Sequence, residues 1–240
     1  MKRLVFLCLL SIARPGYGEA PVAVESIVSA EDLVAEIQYQ VGQLKEYTAD
    51  EESYAKAQEK KRVAQAAGTL ACIAQALVEH DDAPDGIAAA ALRDAALSLR
   101  RPDSLESTRN ALAQLDSAVA GKGEGAAEYD WAKLINMHRM MEEMSSRHSQ
   151  IRRLLRRPKD PAADSRHAST QAILGLALIA DTHEVKNKDD LPQWNEWATG
   201  YQSTMTGLAK AIRSGDKDEA KALYTKGAKS CSACHEKFRK

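Results

Sequence analysis

Apolar residues recur along this chain at alternating steps of three and four, a spacing that places them on one face of an α-helix. The clearest run, with one histidine among its members, consists of Leu134, Met137, Met141, Met144, His148, Ile151 and Leu155. Residues that lose little on entering a helix dominate the composition, and no segment alternates with the period of a strand. We therefore expect an all-α protein.

The pattern occurs twice. About a hundred residues before the first run, a similar seam is formed by Val34, Ile37, Val41 and Leu44, and the stretch Gln65–Ala74 matches Gln171–Ala180. Each half contains four predicted helices, near 30–48, 51–79, 84–100 and 104–120 in the first and near 126–156, 162–184, 191–213 and 216–238 in the second. Antiparallel helices with such seams pack as bundles. The sequence therefore predicts two tandem up-down four-helix bundles.

The N-terminus has the pattern of a secretory signal peptide. Lys2 and Arg3 precede an apolar run from Leu4 to Ala13 that is too short to span a bilayer, and small residues follow. We predict a signal peptide at 1–18, a first bundle at 19–121, a glycine-rich linker at 122–125 that bends freely, and a second bundle at 126–240. The mature protein would be periplasmic, with no integral membrane segment.

The charge pattern gives no sign of a nucleic-acid partner. The whole chain has a formal net charge of −1, with Lys and Arg spread along it. Removal of the signal peptide would take away three positive charges and no acid, which leaves a mildly acidic protein. A basic run at 152–159 could dock an acidic redox partner, although such a run is typical of a solvated helix end.

The string Cys231-Ser232-Ala233-Cys234-His235 near the C-terminus is the attachment signature of c-type haem. On a helix, Cys231, Cys234 and His235 project from one face. The two thiols can add to the two haem vinyl groups while the imidazole reaches the iron. One covalent haem c is therefore the predicted cofactor.

Three other uses of this string fit less well. A disulfide within a helix would be strained and would not explain the histidine. A thioredoxin-like pair needs a βαβ context, and a zinc site needs a fourth ligand at suitable spacing. Cys72 lies in an apolar stretch and is expected to be a small buried residue.

From roughly Ala126 to Lys240 the chain resembles the class II cytochromes c, namely cytochrome c′ and its low-spin, Met-ligated relatives. The resemblance rests on a haem motif at the end of the last helix, on Leu191-Pro192-Gln193-Trp194, on Ser214-Gly215-Asp216, and on the ending Cys231–Arg239. It implies haem thioethers at Cys231 and Cys234 and His235 as the proximal iron ligand. Arg239 could approach a haem propionate or be solvated.

The first half resembles the same fold but has no cysteine or histidine at the equivalent place, Ala118–Lys122. The resemblance therefore implies a duplicated module that cannot attach haem. Fusion of the two modules could replace the homodimer that many class II cytochromes form, as an intramolecular pseudo-dimer, or the fused chain could dimerise further.

The distal ligand is expected on the first helix of the second half, because in an up-down bundle that helix runs beside the last one. Four methionines cluster there, with Met137, Met141 and Met144 on the seam and Met140 one position off it. By resemblance Met141 is nearest the family's ligand position, and Met137 is the alternative. These methionines could instead only fill the core. His148 lies on the seam two to three turns further along, which is too far.

The leading functional interpretation is an exported monohaem cytochrome that passes single electrons between redox partner proteins. No catalytic triad, nucleotide loop or paired carboxylates are present, so an enzyme is not expected. One alternative is a five-coordinate haem protein that binds or senses NO or another small gas. Another is that the haemless half is a partner-binding module.

Overall fold

The computed structural model describes residues 19–239, and within that range every regular element is a helix. The all-α prediction is therefore confirmed, whereas the predicted signal peptide lies outside the described residues. The α-helices are α1 (Ala30–Tyr47), α2 (Glu51–Glu59), α3 (Arg62–Val78), α4 (Ala89–Ser98), α5 (Leu105–Val119), α6 (Met137–Arg156), α7 (Pro161–Ala180), α8 (Leu191–Ser214) and α9 (Lys217–Phe238). None of these described helices is long and apolar enough to cross a membrane.

Short polar residues begin most of these helices by accepting a hydrogen bond from a backbone N–H that has no partner within the helix. Asp50 caps α2 through the amide of Ser53 at 2.7 Å, and Asp216 caps α9 through the amide of Glu219 at 3.0 Å. Ser104 forms a capping box at the start of α5. The sequence favours caps at the same three places, since Asp50, Asp216 and the turn that ends in Ser104 each precede a helical pattern.

Two predicted helices differ most from those of the structure, while those predicted at 84–100 and 162–184 are shorter, as α4 and α7. The helix predicted at 51–79 is interrupted after Glu59, where Lys61 adopts a left-handed conformation with φ of 53° and α3 begins anew. The helix predicted from 126 begins only at Met137, because Asn136 accepts a hydrogen bond from the amide of Arg139 and caps the helix there. Residues 126–130 instead form an irregular segment that leads into a 3-10 turn at Trp131–Lys133.

Each half of the chain packs its helices in a closed ring. In the first half α1 contacts α3, α3 contacts α4, α4 contacts α5, and α5 returns to α1. In the second half α6, α7, α8 and α9 contact one another in the same cyclic order. This packing is consistent with helical bundles. In the first half α5 buries Leu112, Leu115 and Ala118, so its own side chains fill that ring.

The two halves contact each other directly, mainly through α3 against α6 and α7. The glycine-rich segment between them is held against α4 and is not free to bend as expected. A Cβ at Gly125 would lie 2.2 Å from the backbone carbonyl carbon of Ala90. The buried guanidinium of Arg93 donates to the carbonyl of Ala126 at 2.7 Å, and Asp94 accepts from the amide of Ala126 at 2.8 Å.

Candidate functional site

A cavity of about 330 Å³ lies inside the second ring, between α6, α7, α8 and α9. Its walls are mostly apolar. Three of the residues that line it, Cys231, Cys234 and His235, come from one face of α9, so the helical spacing of the motif brings all three side chains to the same space. Both cysteines are free thiols.

Tyr224 and His148 fix the register of α9 against α6. Their rings stack with centroids 4.1 Å apart and an interplanar angle of 15°. The helices are antiparallel, so a step of seven residues back along α6 matches seven residues forward along α9. Met141 is therefore level with Cys231, and Met137 is level with His235.

The methionines of α6 differ in what they contact. Met141 and Met144 line the cavity, whereas Met137 is buried in the first turn and is not among the lining side chains. Met140, expected off the seam, is only 1% exposed. Met140 lies on the same side of α6 as Glu143 and Arg147, which contact the first half. A second face of α6 is therefore buried, and the apolar pattern of the helix does not indicate that face.

His148 lines the same cavity, on the side-chain stripe of α6 that also includes Ser145 and Ser149. It remains distant from the position of Met141, however, because seven residues of helix correspond to about 10 Å. Its Nδ1 is buried and has no hydrogen-bond partner in the part of the chain that the structure describes. Burial, followed by the nearby charge of Arg152, lowers the pKa of His148.

The C-terminal end of α9 is fixed against the start of α8. The ring of Phe238 packs edge-on against Trp194 and Trp197, with centroids 5.0 and 5.8 Å away. Lys237 donates to Asp190 at 2.7 Å and also to Gln193. Trp194 is itself held by a 3.1 Å hydrogen bond from its indole N–H to the carbonyl of Leu178. These contacts hold the cysteine and histidine side chains at the cavity.

Burial sets the protonation of the three α9 side chains. Burial raises the pKa of Cys231, and burial together with the neighbouring Cys231 raises the pKa of Cys234. Both groups are thus neutral thiols at neutral pH. Burial and then the charge of Arg239 lower the pKa of His235, which leaves a neutral imidazole, the form that binds a metal. Arg239 is exposed and is not among the lining side chains.

A second polar side chain that lines the cavity, that of Gln171, also lacks one hydrogen-bond partner among the described residues. Gln171 is fully buried, and its Oε1 accepts a hydrogen bond from the hydroxyl of Tyr201, but its Nε2 has no acceptor within residues 19–239. A buried amide without a partner is costly, so a group in the cavity that offers Gln171 a hydrogen-bond acceptor would be favoured. An apolar cavity with two neutral thiols, an unprotonated imidazole and an unpaired donor fits haem c.

Sequence reasoning did not identify Gln171 or Tyr201 as part of the site. In the sequence Gln171 stands out only as a member of the repeat, in which it matches Gln65 of the first half. In the structure Gln65 donates to Glu143 at 2.6 Å, so the two glutamines have different surroundings. The only available signal was a glutamine within an otherwise apolar helix segment.

Comparison with known proteins matches residues 186–239 to the family described as Cytochrome C'. The matched segment contains α8, α9 and the whole Cys231–His235 motif. No curated protein and no solved structure matches the chain. The match does not include the first half, so the tandem duplication stays a prediction. The C-terminal segment of this chain is therefore cytochrome c′-like, consistent with a class II c-type cytochrome.

Proposed function

We propose that this protein is an exported, periplasmic monohaem cytochrome that transfers single electrons between redox partner proteins and is not an enzyme. The observation that carries the proposal is that Met141 shares one apolar cavity with Cys231, Cys234 and His235. When bound there, haem c supplies a one-electron change at iron. The two thiols would hold it by adding S–H across its vinyl double bonds.

Side-chain direction favours Met141 over Met137 as the distal ligand. Helical side chains lean toward the N-terminus of their own helix. The side chain of His235 on α9 thus leans from its own level toward that of Cys231. The side chain of Met141 starts level with Cys231 and, because α6 is antiparallel, leans the opposite way toward the level of Cys234. The two side chains therefore converge, whereas Met137 leans past the C-terminal end of α9. Ligation by a thioether and an imidazole raises the reduction potential of haem iron, which suits electron transfer.

The test is the ferric absorption spectrum of the purified holoprotein. We expect a Met-to-iron charge-transfer band that is lost in Met141→Ala and retained in Met137→Ala and Met144→Ala. Met144 is the matched control, because it is also a methionine of α6 that lines the cavity. A high-spin spectrum that Met141→Ala leaves unchanged would reject Met141 as a ligand.

The second candidate is a five-coordinate haem protein that binds NO or another small gas, and Gln171 favours it. An amide donor that lines the cavity and has no acceptor among the described residues could hydrogen-bond a diatomic molecule, and such donors influence gas binding. Under this alternative, Gln171→Leu would accelerate gas dissociation. Under the leading proposal, the ferrous protein would not bind gas until Met141 is removed.

A further inference from the structure

A polar stripe of α6 borders the inner part of the cavity. Ser145, His148 and Ser149 all line it, and Arg152 follows one helical turn later. Residues at these spacings share one helix face. No aspartate or glutamate is among the described side chains that line the cavity. The stripe therefore combines hydrogen-bond donors with one positive charge, and no acidic side chain of residues 19–239 shares the cavity wall with it.

His148 is the most constrained member of this stripe. Tyr224 holds its ring by stacking, and the buried Nδ1 has no hydrogen-bond partner within the described residues. The charge of Arg152 acts on both His148 and Tyr224. A fixed ring with an unused nitrogen beside an arginine is suited to an anionic acceptor rather than to a neutral one.

The chemistry of haem c supplies such an anion. Its vinyl groups lie on one edge of the porphyrin and its two propionates on the opposite edge. If Cys231 and Cys234 hold the vinyl edge, the propionates lie away from them. His148 is about 10 Å further along α6 than the level of Cys231. We propose that His148 and Arg152 bind a haem propionate, an inference that rests on the proposed attachment of haem c.

This role differs from that of an iron ligand. His148 is level with Tyr224, eleven residues from His235 along α9, so an imidazole there is too far along the bundle to share the iron with His235. A carboxylate accepts hydrogen bonds only, and an arginine is its preferred partner. The pair would thus neutralise a charge that otherwise stabilises the oxidised iron.

The experiment measures the reduction potential and the propionate bending band in resonance Raman spectra of the holoprotein. His148→Phe keeps an aromatic ring to stack on Tyr224 but removes the donor. Arg152→Gln removes the charge, and Arg153→Gln is its matched control, since both arginines are exposed on α6 and one residue apart. We expect Arg152→Gln and His148→Phe to lower the equilibrium constant for reduction by about three- to tenfold, because an unneutralised propionate favours ferric iron.

We also expect both variants to shift the propionate band and Arg153→Gln to leave the band and the potential unchanged. Equal potentials in the two arginine variants, with an unshifted band in His148→Phe, would overturn the propionate site while leaving the proposed haem attachment intact. A colourless wild-type protein would overturn both proposals. A shifted band would support the propionate site whichever residue proves to be the distal ligand.

Discussion

Arg147 of α6 donates a hydrogen bond to Glu36 of α1, and the ion pair that they form joins the two halves of the chain. Both side chains are only 4% exposed. Glu143 accepts from the Nε of Arg147 at 2.5 Å, and Thr170 accepts from its Nη1 at 3.0 Å. Burial opposes the charge of Arg147, but Glu36 and Glu143 raise its pKa above the usual value, so the guanidinium stays protonated.

Removal of one member of this pair should destabilise the protein strongly. Arg147→Met leaves Glu36 buried without its partner, and we expect a loss of about 3–5 kcal/mol in the free energy of unfolding. Because an apolar replacement of both members can restore stability, Glu36→Leu combined with Arg147→Met should recover a large part of that loss. Urea denaturation followed by circular dichroism measures both effects.

The exposed pair Glu52–Lys56 provides the control, with side chains 78% and 69% exposed. Lys56→Met should change the free energy of unfolding by less than about 1 kcal/mol. If Arg147→Met proved no more destabilising than Lys56→Met, the buried pair would not hold the halves together.

His167 should make the protein less stable in acid. Burial, followed by the charges of Arg147 and Arg166, lowers the pKa of His167 to about 4, against 6.5 for an ordinary histidine. Between these two values the unfolded chain binds a proton that the folded chain does not. The contribution of His167 to stability is therefore fully present above about pH 6.5 and falls as the pH is lowered toward 4, with a loss on the order of 1–3 kcal/mol in that range.

Urea midpoints at pH 7.5 and pH 4.5 measure this dependence. His167→Gln cannot titrate, so it should lose less stability than the wild type over the same interval. Since other acidic and histidine groups contribute equally to both proteins, the difference isolates His167. Parallel curves for the two proteins would show that His167 titrates normally in the folded state.

Gly175 should be required for the close approach of α7 and α8. A Cβ there would lie 2.8 Å from Cβ of Gln202 and 3.1 Å from its Cα, whereas one at Gly200 of α8 would meet nothing within 4 Å. We expect Gly175→Ala to destabilise the protein by about 1–3 kcal/mol. Gly200→Ala should stabilise it by about 0.5–1 kcal/mol, because alanine is the better helix former. Thermal unfolding measures both effects. A shift of the midpoint temperature in the same direction for both variants, relative to the wild type, would contradict this prediction.

Residue patterns within one helix were enough to predict much of this protein. Asp50, Ser104 and Asp216 act through their own neighbours in sequence, and all three cap the helices they were expected to begin. The convergence of Cys231, Cys234 and His235 on one cavity likewise follows from helical spacing alone. Such local features do not depend on how the two halves are placed.

Features that depend on packing between helices were not predictable. The burial of Met140 results from contact with the first half, which the seam of α6 does not encode. Lys61 adopts a left-handed conformation, and a lysine does not predict one as a glycine or asparagine would. The fixed position of the linker depends on Arg93, whose partner Ala126 lies 33 residues away. Predicting each of these three features requires knowing how the helices pack against one another.

The most direct test of the account is the mass of the C-terminal peptide that contains Cys231 and Cys234. The protein is expressed in a host that matures c-type haem, denatured, alkylated and digested. We predict a peptide that carries one haem and has no alkylated thiol, while the buried Cys72 becomes alkylated once the protein is denatured. A haem-free peptide with both cysteines alkylated would contradict the proposal that this chain is a c-type cytochrome.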